Sequence, residues 1–424
     1  MNVEKHYELA EETYAELGVD VEQAMQKLAG KSISLQCWQG DDVTGFERPG
    51  ATLTGGIMAT GNYPGKARNP AELRGDLEEA ISLIPGPQRV NLHATYGEFK
   101  GRIDRDGVEP EHFDNWITWA KEQKLGLDFN ATLFSHPKSD TGFTLSSKDP
   151  ETRRFWIEHV KHSRRVSAHI GKSLGIPCVH DIWIPDGMKD TCVDRIGYRK
   201  LLAESLDEIF AEEYSQIYLK DTVESKLFGL GSECYVVGSH DFYLAYALRH
   251  GLIVCIDMGH YHPTESIGDK LSSILLYMPE LMIHVSRGVR WDSDHVPIID
   301  DQLRDVAAEV VRCGALDRVY LALDRVYLAL DYFDASINRV AAWVVGARAT
   351  QKALLSALLE PRKMLLEAEE AGDYTGRLAL LEEAKTLPLG AVWNKFCKDQ
   401  GVPSDRDWMT EIRGYEKSVQ SKRC

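Results

Sequence analysis

Eight short β-prone runs punctuate the first 331 residues, with stretches of helical period between them. The runs are ISLQCW (33–38), RVNLHA (89–94), LGLDFNA (125–131), PCVHDIW (177–183), QIYLKDTVE (216–224), LIVCIDMGH (252–260), LMIHVS (281–286) and RVYLALD within 318–331. Most are continuously apolar rather than alternating, the pattern of parallel strands covered on both faces. Helical stretches intervene, among them 70–84, 110–124, 151–174 and 301–313. Eight such strands alternating with helices predict a closed (β/α)8 barrel of the α/β class, with a doubly wound sheet as the alternative. Residues 3–29 read as two short helices joined near Gly18, and the chain reads as helical from about 335 onward. The expected organisation is one barrel over 1–350, including its N-terminal helices, and a helical extension over 351–424 that packs on the barrel or on another subunit.

Charge and cysteine usage narrow the class. With 49 basic and 65 acidic residues the formal charge is −16, which argues against nucleic acid as a partner because phosphate contacts need a basic face. No apolar run reaches the roughly 18 residues of a membrane span. The opening MNVEKHYELAEETYAEL is acidic and amphipathic, unlike a secretory signal. Eight scattered cysteines form no CxxC pair, so a reduced, cytoplasmic enzyme is expected.

The chemistry is announced at the ends of four consecutive runs. The fifth ends in Glu224. The sixth ends in Asp257 and His260. The seventh holds His284 and leads into WDSDH, with Asp292 and Asp294. The eighth ends in an aspartate, Asp324 or Asp331. In a (β/α)8 barrel these C-terminal strand ends converge on one mouth, where catalytic residues sit. Taken singly, each has a structural reading as a cap, a salt-bridge partner or a satisfied core histidine. Converging, five carboxylates and two imidazoles without thiolate suit a hard or borderline divalent ion, and they exceed what one ion needs. The i, i+2 spacing of Asp292 and Asp294 would point both the same way on extended chain. Lys226, two beyond Glu224, could polarise a substrate oxygen. His93 could donate to a hydroxyl, and Trp183 and Trp38 could wall an apolar sugar face. There is no GxGxxG after a strand, no GxxxxGK[ST] and no GxSxG, so phosphate cradling and a serine nucleophile elbow lack support.

Long segments then resemble one family. CWQGDDVTGFE (37–47), LTGGIMATGNYPGKARNPAELR (53–74), IWIPDGMKD (182–190), VESKLFG (223–229), DMGHYHPTE (257–265), HVSRGVRWDSDHV (284–296) and DYFDASINRVAAWVVGARA (331–349) look like bacterial L-rhamnose isomerase. The likeness runs over essentially the whole chain. It implies a cytoplasmic homotetramer that interconverts L-rhamnose and L-rhamnulose with Mn2+. It implies two divalent ions per subunit, with Co2+, Zn2+ or Mg2+ as substitutes. It further implies one ion on Glu224, Asp257, His284 and the eighth-strand aspartate, and a second, catalytic ion on His260, Asp292 and Asp294. Lys226 would contact the oxygen on C1, and His93 and Trp183 would line the pocket. The resemblance favours a hydride shift over an enediol. Rival readings are another metal-dependent sugar epimerase or isomerase, a metal-dependent phosphoester hydrolase, and a sugar-binding barrel with a purely structural ion.

One departure from the family pattern stands out. DRVYLAL occurs twice in tandem, at 317–323 and 324–330, where the family has one copy. A barrel strand of about 5–7 residues cannot absorb both. The loop YFDASIN begins directly after Asp331, and an insertion is easier at the helix-to-strand end than in the catalytic loop. The second copy is therefore expected to form the strand, with Asp331 rather than Asp324 as the ligand.

Overall fold

The computed structural model describes residues 2–47, 57–227, 234–316 and 326–423, with the backbone alone at 291–293. Eight parallel strands close into a barrel: β1 (Ile33–Gln36), β2 (Gln88–His93), β3 (Gly126–Asn130), β4 (Cys178–Trp183), β5 (Leu219–Glu224), β6 (Ile253–Asp257), β7 (Leu281–Val285) and β8 (Val326–Leu330). Each strand pairs with its neighbour in sequence, and β8 closes on β1 with Ile33 opposite Leu328. Every residue of β1, β3, β4, β6 and β7 is buried. That is why these runs do not alternate between buried and exposed residues: the barrel interior takes one face and the helices cover the other.

Two helices, α1 (Val3–Glu16) and α2 (Val21–Ala29), precede the barrel. The crossover helices follow in strict alternation: α3 (Pro70–Ser82), α4 (Asp114–Gln123), α5 (Pro150–Leu174), α6 (Arg195–Phe210), α7 (His240–His250), α8 (Gly268–Leu275), α9 (Asp301–Arg312) and α10 (Arg339–Leu358). Local chemistry sets their ends. Asp149 caps α5 by accepting from the backbone N–H groups of Glu151 and Thr152, Pro150 takes the first helical position, and Gly175 ends the helix with φ +72°. In α9, Leu303, Val306, Ala307 and Val310 fall on one buried face, the i, i+3, i+4, i+7 stripe of a helix lying on a core.

Several strand ends differ from the expected ones. The first stops at Gln36 because Cys37–Gly40 turn into a 3-10 helix. The fifth starts at Leu219, after a turn in which the N–H groups of Tyr218 and Leu219 both donate to the Ser215 carbonyl. The sixth ends at Asp257, whose carbonyl accepts from the His260 N–H in a tight turn. The 110–124 stretch splits into a 3-10 turn at Pro110–Phe113 and then α4. Two small antiparallel pairs lie outside the barrel, Gly187–Met188 with Tyr235–Val236 and Arg287–Val289 with Trp291–His295.

The expected boundary at 350 falls inside a continuous helix. Helix α10 runs to Leu358, and Ala353, Leu354 and Leu355 near its end are as buried as Trp343 and Val344 at its start. Beyond it come α11 (Arg362–Glu370), α12 (Tyr374–Ala384), α13 (Leu389–Asp399) and α14 (Trp408–Ser418). Helix α13 buries Val392, Trp393, Phe396 and Cys397 and packs against α1 and α10 of the same chain. Helices α11 and α12 pack chiefly on each other, and α12 buries no residue at all. The seven described cysteines are free thiols. Among the described residues no helix is long and apolar enough to cross a membrane.

Candidate metal centre

The barrel's C-terminal mouth gathers carboxylates and imidazoles from four neighbouring strands. Glu224 is the last residue of β5 and Asp257 the last of β6. His284 stands in β7 opposite Asp257, and Asp331 follows the last residue of β8. Parallel pairing in register brings these four strand ends to one level, so residues 107 positions apart in sequence, Glu224 to Asp331, become neighbours. Each of the four offers one ligand atom, and those atoms lie within 4.8 Å of one another. His284 Nδ1 is 3.4 Å from Glu224 Oε1, 3.7 Å from Asp257 Oδ2 and 3.3 Å from Asp331 Oδ2.

These atoms are held in place, yet several have nothing to bond to. Asp257 Oδ1 accepts from the Gly259 N–H at 2.5 Å and the Ser286 hydroxyl at 2.9 Å, which fixes the carboxylate with its other oxygen toward the cluster. Glu224 Oε1, Asp331 Oδ1 and both ring nitrogens of His284 are buried without a hydrogen bond. A buried polar atom left unpaired costs about 1–3 kcal/mol, so Glu224 Oε1, Asp331 Oδ1 and the His284 nitrogen that faces them call for a group that binds all three. Three carboxylates and an imidazole make a donor set for a hard or borderline divalent cation. Electrostatics agree. Burial alone would raise Glu224, but the adjacent charges of His284 and His260 outweigh it and hold the carboxyl well below its usual range. Burial alone would lower His284, but its anionic neighbours, Glu224 and Asp331 among them, drive it well above. The site therefore favours positive charge at its centre. Cys255 also lies within reach of Glu224 and His284; burial pushes its thiol pKa well up, and a thiol that keeps its proton is a poor ligand.

The other expected residues divide. His260 is buried, and its Nδ1 donates to the Ser225 carbonyl at 2.9 Å, while lying 2.9 Å from Glu224 Oε1. That backbone bond fixes the ring with Nε2 as the lone-pair nitrogen. Lys226 sits with Nζ 4.8 Å from the centroid of the Trp183 ring, and Trp183 is in register beside Glu224. His93 stacks on Trp38 with centroids 4.3 Å apart, and Phe134 bridges from His93 to Trp183. Trp38, His93, Phe134, Trp183 and His260 thus form a continuous aromatic wall beside the carboxylates. Asp294 does not have the expected extended conformation: its φ is +46°, so the i, i+2 argument for Asp292 and Asp294 pointing together fails at that residue. The side chain of Asp292 and the whole of Asp324 lie outside the described residues. Among the described residues, only the Glu224 clusters bring three or more potential ligands together.

Several contributors carried no sequence signal. Asp181, in the middle of the β4 apolar run, accepts from Thr222 Oγ1 at 2.5 Å and Asn130 Nδ2 at 3.1 Å. Burial, and after it the Glu224 charge, push its carboxyl pKa well up. A carboxylate inside a fully buried strand was the one available hint. Gln36, Asn130, Thr132 and Arg105 surround His93 or its support, and nothing in their spacing points to that.

Comparison with known proteins bears on this geometry. A family profile described as L-rhamnose isomerase (RhaA) matches residues 1–423. The L-rhamnose isomerase of Enterobacter sp. (strain 638) is 56% identical over 421 residues, covering 99% of each chain. That of Salmonella paratyphi A is 55% identical over the same length and coverage. Among solved structures, an L-ribulose 3-epimerase superposes with a TM-score of 0.48 at 10% identity, covering 79% of this chain and 97% of that one.

Proposed function

The chain belongs to the L-rhamnose isomerase family, and from that premise we infer what each residue at the barrel mouth does. The protein is an aldose–ketose isomerase that interconverts L-rhamnose and L-rhamnulose. The reaction moves hydrogen from C2 to C1 and a proton from O2 to O1, so an aldehyde becomes a hydroxymethyl group and an alcohol becomes a ketone. We propose that the hydrogen moves as a hydride. The observation that supports this reading is the buried cluster of Glu224, Asp257, His284 and Asp331, whose ligand atoms lie within 4.8 Å of one another.

In this reading those four residues hold one divalent ion, and His260, Asp292 and Asp294 hold a second, with Mn2+ as the native metal. The bound ions supply Lewis acidity to the sugar oxygens. The chain's own residues do the rest. Lys226, steadied over Trp183, directs its ammonium to the oxygen on C1 and favours negative charge there. The wall of Trp38, His93, Phe134 and Trp183 presents apolar surface to the sugar and keeps water from the reacting carbons. Asp292 and Asp294, as ligands of the second ion, tune the transfer of the hydroxyl proton from O2 to O1. We further propose that the enzyme works in the cytoplasm as a homotetramer. The exposed apolar residues Met364, Leu366, Tyr374 and Leu378 on the α11–α12 hairpin support that assembly.

The test is turnover of L-rhamnose before and after chelation. Stripping with EDTA abolishes rhamnulose formation, and Mn2+ or Co2+ restores it. Full activity in the metal-free protein would overturn the metal-dependent reading. Run in deuterated water, early product keeps its C2-derived hydrogen at C1, whereas substantial solvent deuterium at C1 would establish an enediol instead.

A further inference from the structure

A strained residue stands beside His93. Thr132, two residues beyond β3, has φ +60°, a left-handed conformation in which a β-branched side chain is an outlier. The surroundings hold it there. Its N–H donates to Asn130 Oδ1 at 2.9 Å. Its carbonyl accepts from the guanidinium of Arg105, which also binds the carbonyls of Phe134 at 2.6 Å and Ser135 at 3.2 Å. Arg105 is itself 1% exposed and pairs with Glu47 at 3.0 Å. Strain that the surroundings maintain tends to mark a functional constraint.

The Thr132 hydroxyl shows what that constraint is. It has one proton, directed at the Asn130 carbonyl 3.2 Å away. It accepts from the Ala94 N–H at 3.2 Å and lies 3.0 Å from His93 Nδ1. With its proton spent, the hydroxyl can only accept from the imidazole, so Nδ1 carries the hydrogen and Nε2 carries the lone pair. Gln36 is compatible with that tautomer once its side-chain amide is turned over. Its Oε1 is 3.3 Å from His93 Nε2, which would set two acceptors against each other, while Gln36 Nε2 is buried without a partner. Exchanging the two ends of that amide gives His93 Nε2 a donor and so satisfies both observations. Burial, joined by the charges of His284 and Arg105, takes the ring's pKa down to about 3, so it is neutral at working pH.

We propose that Thr132 is a positioning residue that fixes His93 as its Nδ1–H tautomer, so that Nε2 faces the sugar as an acceptor of a hydroxyl proton. A substrate hydroxyl displaces the long contact from Gln36 and donates to this nitrogen. His93 then selects sugars by taking a hydrogen bond, opposite to the donor role expected from sequence. The identity of the sugar rests on the isomerase reading; the tautomer does not.

Nitrogen resonances of histidine-labelled, sugar-free protein test the tautomer directly, with His93 assigned by its loss in His93→Gln. The expected pattern is a protonated Nδ1 and an unprotonated Nε2. A proton on Nε2 overturns the proposal. In kinetics, Thr132→Val keeps the branched shape without the hydroxyl. It should raise KM for L-rhamnose about tenfold, the effect of one hydrogen bond of about 1.4 kcal/mol, with kcat within about twofold and metal content unchanged. Thr132→Ser should restore KM. Loss of bound metal, or an equal fall in kcat for the Val and Ser variants, would make Thr132 merely structural and overturn the proposal. Should Thr132→Val not fold, the resonances of the unmutated protein and the kinetics of Thr132→Ser still decide. Absent turnover of L-rhamnose by the unmutated enzyme would count against the isomerase reading alone, because the resonance pattern is read without sugar.

Discussion

Asp324 and Asp331 each come directly after the same Val-Tyr-Leu-Ala-Leu, so nothing before them distinguishes the two. The contacts made by residues 331–334 do. The N–H of Asp331 donates to the Val285 carbonyl at 3.1 Å, continuing the β7–β8 ladder one residue past the strand. The Tyr332 carbonyl accepts from Trp38 Nε1 at 3.1 Å, and its hydroxyl donates to the Ala342 carbonyl at 2.6 Å. The N–H of Asp334 donates to Gln39 Oε1 at 2.7 Å. Residue 331 is thus stitched to β7 and to the turn after β1, with its carboxylate facing His284. Asp331→Asn should weaken Mn2+ binding about tenfold or more, while Asp324→Asn should leave it unchanged, as read by metal titration of stripped protein. The reverse pattern would move the ligand to Asp324. At this scale Glu224, Asp257 and His284 were legible because strand ends of a parallel barrel share one level. Thr132, Gln36 and Asp181 were not, because their roles are set by partners on other strands and by a positive φ that no local pattern encodes.

At the level of elements, the tandem repeat is the feature to explain. The described strand uses only 326–330, where Val326 through Leu330 pair with Leu281 through Val285. Leu328 and Ala329 pair with Ile33 and Ser34 on the other side. Tyr327 donates its hydroxyl to Glu280 at 2.7 Å, and Glu280 in turn pairs with Lys220 at 2.7 Å. Those partners pair both edges of β8 among the described residues. Removing one copy, which yields the same sequence whichever is cut, should leave isomerase turnover within about twofold. It should hold or slightly raise the melting temperature, since shortening a connection lowers loop-closure entropy by only about 0.6 kcal/mol per halving. A deletion protein that unfolds or loses its metal would show that the first copy carries structure. The order of strands and helices was readable from the alternation of apolar runs with helical stretches. Their ends were less so, because a turn such as Ser215–Tyr218 carries the β-prone Ile217 and Tyr218 on backbone that closes a local hydrogen bond.

For the whole molecule, the C-terminal extension divides by what covers it. Helix α13 is accounted for within the chain, with Trp393 and Phe396 each 2% exposed against α1 and α10, so only part of the tail is left to face another subunit. The α11–α12 hairpin is different. Met364, Leu366, Tyr374 and Leu378 are 40%, 46%, 61% and 66% exposed, while its charged residues pair locally, Arg377 with Glu369 and Lys385 with Glu382 at 2.7 Å. Single exposed apolar residues are ordinary, but four on one protruding hairpin are the kind of surface that association covers. In the proposed tetramer they are buried between subunits, with closed symmetry repeating the same contact. Leu378 is the most exposed of the four, so a charge there costs the isolated fold little. Burying a leucine contributes about 1.5–3 kcal/mol, and Leu378→Glu should therefore weaken assembly by about tenfold to a hundredfold per contact. Light scattering at micromolar concentration should show the unmutated protein as a tetramer and the variant as smaller species with unchanged helical content. An unmutated protein that scatters as a monomer, or a Leu378→Glu variant that assembles as tightly as its parent, would place the subunit contact elsewhere on the barrel.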